Sequence, residues 1–186
     1  YAFSRCSQLK TVSLPMAKEL GSKLFLRCNN LETVYAPNLL YIAGDQCIED
    51  TSVKELLFPK FNRYVYSNSM RSNKLLERVD LGFAPKFGHS VFVGCNALSC
   101  IILRKEDTVS ILENVSAFSE THFAIGGTGG NVYVPSALIE QYQQATNWST
   151  LYAAGTCIFK PLEDYTIDGT TTGEMDWAKI EAEVSA

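Results

Sequence analysis

The chain has no run of eighteen apolar residues, no cluster of lysines and arginines, and only two histidines, His89 and His122. Without the first, no helix is expected to span a membrane. Without the second, nucleic acid and anionic lipid are poor partners, because phosphate binding needs concentrated positive charge and the net charge here is −4. With so few histidines and no Cys-x-x-Cys among six cysteines, a metal site lacks a ligand set, since only Cys95 and Cys100 lie close together. Motifs for catalysis are lacking as well: neither Gly-x-Ser-x-Gly nor His-Glu-x-x-His occurs, and no serine or cysteine motif sets a nucleophile beside a base. Carboxylates are dispersed, with Glu49-Asp50 and Glu106-Asp107 at turn positions, which leaves a glycosidase pair drawn from distant segments as the weakest reading. No catalytic residue, metal ligand or cofactor is assigned.

What is present is a period. Phe3, Cys6, Leu9, Val12 and Pro15 recur as Phe25, Cys28, Leu31, Val34 and Pro37, an offset of 22 residues. A third copy reads Cys47, Asp50, Val53, Leu56 and Pro59. The fourth, one residue longer, reads Met70, Asn73, Leu76, Val79 and Gly82, and the fifth Phe92, Cys95, Leu98, Ile101 and Arg104. Units of this length bury their apolar face only by stacking on one another, which predicts a solenoid. Within each copy, residues such as Val12 and Leu14 alternate with Thr11 and Ser13, as a short strand requires. One strand per copy gives a narrow parallel sheet with rungs about 4.8 Å apart. Leu20, Ile42, Tyr64 and Phe87, followed by turn glycines at 21, 44 and 88, mark the buried positions of the return side.

The pattern Phe-x-x-Cys-x-x-Leu-x-x-Val-x-Leu-Pro, then an apolar residue and a glycine, resembles the BspA-type leucine-rich repeats of bacterial surface proteins. The resemblance covers about residues 1–160. It implies an α/β repeat fold: a leucine-rich-repeat solenoid with a parallel sheet on one face, an irregular return side and a C-terminal helical cap. It also implies a cell-surface or secreted location. Tyr1 falls inside a repeat, so an N-terminal portion with a covering element of its own is expected ahead of it.

Six cysteines in such a chain first suggest disulfides. Yet Cys6, Cys28 and Cys95 share one repeat place, and Asn73 takes it in the fourth copy. That interchange is expected when the side chain hydrogen-bonds a loop, so free thiols are predicted. The segment after the fifth copy is irregular, and its Gly126-Gly127-Thr128-Gly129-Gly130 run reads as a turn, since no Lys-Ser/Thr and no helix start follow it. Ser136 is a predicted N-cap, and Leu138, Ile139, Tyr142, Ala145 and Trp148 form one apolar stripe of a covering helix. Residues 1–165 thus make the repeat domain, with its cap at about 136–161. Residues 166–186 make a linker and a short amphipathic helix carrying Trp177, Ile180 and Val184.

Two rows of side chains point outward from the predicted sheet. One reads Ser13, Tyr35, Leu57, Asp80, Ile102 and Tyr133. Its polar neighbour reads Thr11, Thr33, Glu55, Arg78, Cys100 and Asn131. An exposed apolar row bordered by polar residues marks a protein-binding face, with tyrosines as usual anchors, although strand propensity alone also enriches such residues. Tyr35, Leu57, Asp80, Ile102, Tyr133 and Arg78 are the candidate contacts of a non-catalytic recognition or adhesion module with a protein ligand. The alternative is an architectural spacer in a larger surface protein.

Overall fold

The computed structural model describes residues 2–165. In chain order the strands are β1 (Thr11–Ser13), β2 (Glu19–Leu20), β3 (Thr33–Tyr35), β4 (Tyr41–Ile42), β5 (Glu55–Leu57) and β6 (Arg78–Asp80). They continue with β7 (Lys86–Phe87), β8 (Cys100–Ile102), β9 (Ile111–Leu112), β10 (Gly130–Val134) and β11 (Cys157–Pro161). Helices α1 (Ile139–Gln144) and α2 (Trp148–Ala153) lie between the last two.

Every pairing is parallel, and the register follows the repeat: Val12 faces Val34, Leu56 faces Val79, Val79 faces Ile101, and Ile101 faces Val132. The middle residue of each rung from Val34 onward is buried, so the period-2 alternation puts one row of each strand into a shared core. The expected single sheet is interrupted. β1 and β3 form one pair, while β5, β6, β8, β10 and β11 form a second sheet. The return side pairs β2 with β4 and β7 with β9.

The interruption coincides with a shift in the third copy. Asn73 Nδ2 donates to the carbonyls of Ile48 (2.7 Å) and Met70 (2.9 Å), and its Oδ1 accepts from the Thr51 N–H (2.9 Å) and hydroxyl (2.8 Å). Cys28 donates in the same way to the Phe3 carbonyl, and Cys95 to that of Met70. Ile48 and Thr51, not Cys47 and Asp50, therefore stand at the aromatic and cysteine places of that copy. Only Ser52 then separates Thr51 from Val53, where two residues separate Cys28 from Leu31. The return side is shifted too: Val65 bridges Phe87 and is buried, while Tyr64, expected inside, is half-exposed.

A sixth turn begins within the segment read as irregular. Phe118 stacks on Phe92 with centroids 5.6 Å apart, and Thr121 donates to the Phe118 carbonyl at 2.7 Å, which repeats the aromatic and cysteine places. The glycine run closes this turn onto β10. A Cβ at Gly130 would lie 2.6 Å from the Phe123 ring, so only glycine lets strand and ring approach.

The predicted covering helix is two helices. Ser136 lies in a 3-10 turn that lacks a side-chain cap, and its hydroxyl donates instead to Glu163. The chain turns extended at Ala145 and left-handed at Asn147 (φ +66°) before α2 starts at Trp148. Tyr142, Trp148 and Leu151 are buried nonetheless. Trp148 meets the rings of Phe87, Phe118, Tyr142 and Phe159 at 5.7–6.3 Å and donates to the Ser110 carbonyl at 2.7 Å. β11, expected to belong to the cap, pairs with β10 over five residues as a further rung of the sheet. The linker and amphipathic helix expected at 166–186 lie outside the described residues.

Candidate functional site

Strand register brings the predicted outward residues together. Leu57 faces Asp80, Asp80 faces Ile102, and Ile102 faces Tyr133; beside them Glu55, Arg78, Cys100 and Asn131 align in the same way. Tyr35 ends β3 and so belongs to the other, two-stranded sheet.

Their exposure differs from the expectation. Leu57 (8 %), Ile102 (0 %), Asp80 (0 %) and Tyr35 (6 %) are buried, while Arg78, Cys100 and Tyr133 are half-exposed. The apolar row is thus corrected from an exposed strip to a covered one. What covers Leu57 and Ile102 is the segment after β11, whose Leu162 and Tyr165 form a small apolar cluster with them, apart from the main core. Sequence reasoning missed both. The signal was there: Leu162 and Tyr165 are large residues that follow Pro161 and fall outside the spacing of the repeat.

Asp80 is occupied by the fold. Its Oδ1 accepts from the Gly82 N–H at 2.9 Å, and its Oδ2 from Arg104 Nε at 2.9 Å, with the Arg104 Nη2 at ion-pair distance but outside hydrogen-bond geometry. Burial pushes its carboxyl up, against the opposing pull of Arg104. The residues it grips stand where earlier copies carry proline. Gly82 takes φ +47°, and a Cβ there would sit 2.5 Å from the Pro59 carbonyl oxygen. The turn that proline fixes in the first three copies is held here by one buried carboxylate. Asp80 therefore leaves the set of available contacts.

Arg78 is the hinge of what remains. One guanidinium nitrogen donates to the Tyr165 hydroxyl at 3.1 Å and the other pairs with Glu55. The Tyr165 ring lies 5.1 Å from that of Tyr133 at 55°, and burial pushes its phenol well above the usual range, so it is neutral at ordinary pH. Beyond this contact the face is open. Glu55, Arg78, Cys100, Asn131 and Tyr133 are half-exposed, and Ile158 on β11 is 48 % exposed.

The six cysteines are all free, as the interchange with asparagine predicts. Burial raises the thiols of Cys47 and Cys95 to about 12 and that of Cys100 to about 11, so they act as neutral donors or core filler and not as nucleophiles. Among the described residues no three His, Cys, Asp or Glu side chains come together as a metal ligand set, and no helix is long and apolar enough to cross a membrane. One open recess lies beside the covered row, lined by Arg104, Glu106, Pro135, Ser136, Leu162 and Glu163.

No curated protein and no solved structure matches the chain. A family model described as a BspA type leucine rich repeat region matches residues 1–124 in six copies. This agrees with a sixth turn opening at Phe118. The parallel rungs, the stacked aromatic places and the Cys/Asn/Thr donors are the physical content of that match, and the chain belongs to the BspA-type leucine-rich repeat family.

Proposed function

We propose that the chain is a non-catalytic recognition module of a cell-surface or secreted protein. In this reading residues 1–165 form a leucine-rich-repeat solenoid with a C-terminal cap, and a protein partner is held on the sheet face. The observation that carries it is the half-exposed strip of Glu55, Arg78, Cys100, Asn131 and Tyr133, ending at exposed Ile158. Tyrosine and arginine are the usual energetic anchors of protein interfaces, and here they stand on a hydrogen-bonded sheet that loses little freedom on binding. Repeats of this family are generally non-catalytic and typical of bacterial surface proteins, which supports the location and favours a protein over a nucleic-acid partner. The test immobilises the chain and compares it with the variant carrying Arg78→Ala, Tyr133→Ala and Ile158→Ser against one defined surface protein at a time. A partner whose affinity falls by about tenfold or more in the variant supports the reading. Equal affinity would move the contact to another face.

A second reading, an architectural spacer, draws on the covering of Leu57 and Ile102 by the chain's own Leu162 and Tyr165. A spacer retains no partner in either form.

A further inference from the structure

The segment from Leu162 to Tyr165 is attached differently from the rung that precedes it. β11 is zipped to β10 over five residues. The next four residues form a single 3-10 turn, closed by the Tyr165 N–H donating to the Leu162 carbonyl at 3.0 Å. Two side-chain hydrogen bonds tie this turn to the body, Arg78 to the Tyr165 hydroxyl and Ser136 to Glu163. Its apolar anchor is Tyr165, only 3 % exposed, seated on Leu57, Ile102 and Tyr133 with Leu162 beside it.

These contacts are those of a bound peptide. A ring fills a notch between aliphatic floor and aromatic wall, and a polar tip meets a guanidinium that Glu55 holds in orientation. Buried tyrosines find a partner for the hydroxyl in this way, and an arginine–tyrosine pair at the centre of a patch is a common interface anchor. The notch is formed entirely by β5, β6, β8 and β10, and none of its walls belongs to the turn.

We propose that this notch is a tyrosine-reading site whose resident occupant is the chain's own Leu162–Tyr165 turn, and that a partner protein enters it by presenting a segment that forms the same single turn, with an apolar residue three positions before a tyrosine. The inference rests on the sheet-face reading above and specifies its chemistry. Displacement lowers the apparent affinity of an incoming segment by the fraction of chains in which the turn is already released. The site is thus self-occupied at rest and selective for segments that match both anchors.

The test uses the full chain with Tyr165→Ala and, as probe, a blocked synthetic peptide copying residues 160–165. Saturable one-to-one binding by the variant is expected, about tenfold or more tighter than by the wild-type chain. Adding Arg78→Gln to the variant, or replacing the peptide's tyrosine by phenylalanine, should each weaken binding by about tenfold, because each removes a hydrogen bond involving a charged group. No binding by a folded Tyr165→Ala chain overturns the proposal. Hydrogen exchange on the wild-type chain supplies an independent reading: the Tyr165 amide should exchange through local opening, well ahead of the β8 and β10 amides. Exchange of Tyr165 only through global unfolding makes the turn a structural element and overturns the proposal, as does loss of the folded state in Tyr165→Ala. A surface partner bound equally by wild-type and Tyr165→Ala chains would leave the sheet-face reading standing and remove only the tyrosine exchange.

Discussion

The first turn of the repeat and the region around Trp148 use the same kinds of side chain and bury them to opposite degrees. Phe3 stacks on Phe25 at 5.8 Å yet remains 43 % exposed, Met16 is 81 % exposed, and Leu9, Val12 and Leu14 are only half-buried. Phe118, at the same repeat place as Phe3, is fully buried because α2 lays Trp148 against it at 5.7 Å. Residue type cannot account for the difference. Among the described residues β1 has one neighbour, β3, whereas the sixth turn has the fifth on one side and the helical pair on the other. In a repeat array, stability is a sum of each turn's own contribution and its interfaces, so a turn with one interface is the first to open.

The largest effect expected from that contrast is at Trp148. Trp148→Ala removes ring contacts with four aromatic neighbours and leaves the Ser110 carbonyl without its donor, which should cost about 3–5 kcal/mol in urea unfolding. Phe3→Ala, with nearly half of its ring already in water, should cost about 1 kcal/mol. Equal losses would mean that both ends contribute alike and would break the comparison.

A smaller effect of the same kind separates the cysteine place of an inner turn from that of the first. Asn73→Ala strands the Ile48 carbonyl and the Thr51 donors inside the core, while the Met70 carbonyl keeps its Cys95 donor, a loss of about 2–4 kcal/mol. Asn73→Cys restores the donor used by Cys28 and Cys95 and should recover part of that loss. Cys6→Ser, at the exposed equivalent, should stay within about 0.5 kcal/mol. Unfolding midpoints of the three variants rank these directly.

Most of the repeat was legible because its register is written in residues that can only point inward. Val12 and its equivalents fix each strand, and within each of the two sheets the ladders pair them without a slip. The turns between strands were less legible. Ile48 replaces Cys47 and Val65 replaces Tyr64 at their places because neighbouring residues are almost equally apolar, so only the hydrogen bonds of Asn73 and the Val65–Phe87 bridge decide the register. Of the outward row, Leu57, Asp80, Ile102 and Tyr133 align while Tyr35 lies in the other sheet, and all but Tyr133 of these five are buried where exposure was expected. Alternation along a strand says which side a residue faces, and says nothing of a later segment such as Leu162–Tyr165 returning to cover it. Asp80 illustrates the same limit: an acid on an outward row looks available until the loss of proline at residues 82 and 104 gives it a structural task.

The finest probe of the difference between the ends is the thiols themselves. Cys28 is buried one turn in from β1, and its donor bond runs to the Phe3 carbonyl of the first turn, so opening that turn alone uncovers it. Cys157 is equally buried at the start of β11, between β10 and the helices, and requires the helical pair to detach. Both thiols are raised by burial, so in the closed state neither reacts and labelling reports opening alone. With a small alkylating reagent under native conditions, exposed Cys6 should react first, then Cys28, with Cys157 slower than Cys28 by about tenfold, a difference of about 1.4 kcal/mol in opening free energy. Mass spectrometry of the labelled chain reads the order. Labelling of Cys28 and Cys157 at one common rate would show that the molecule opens as a whole, and the exposed first turn would then be a surface feature without energetic consequence.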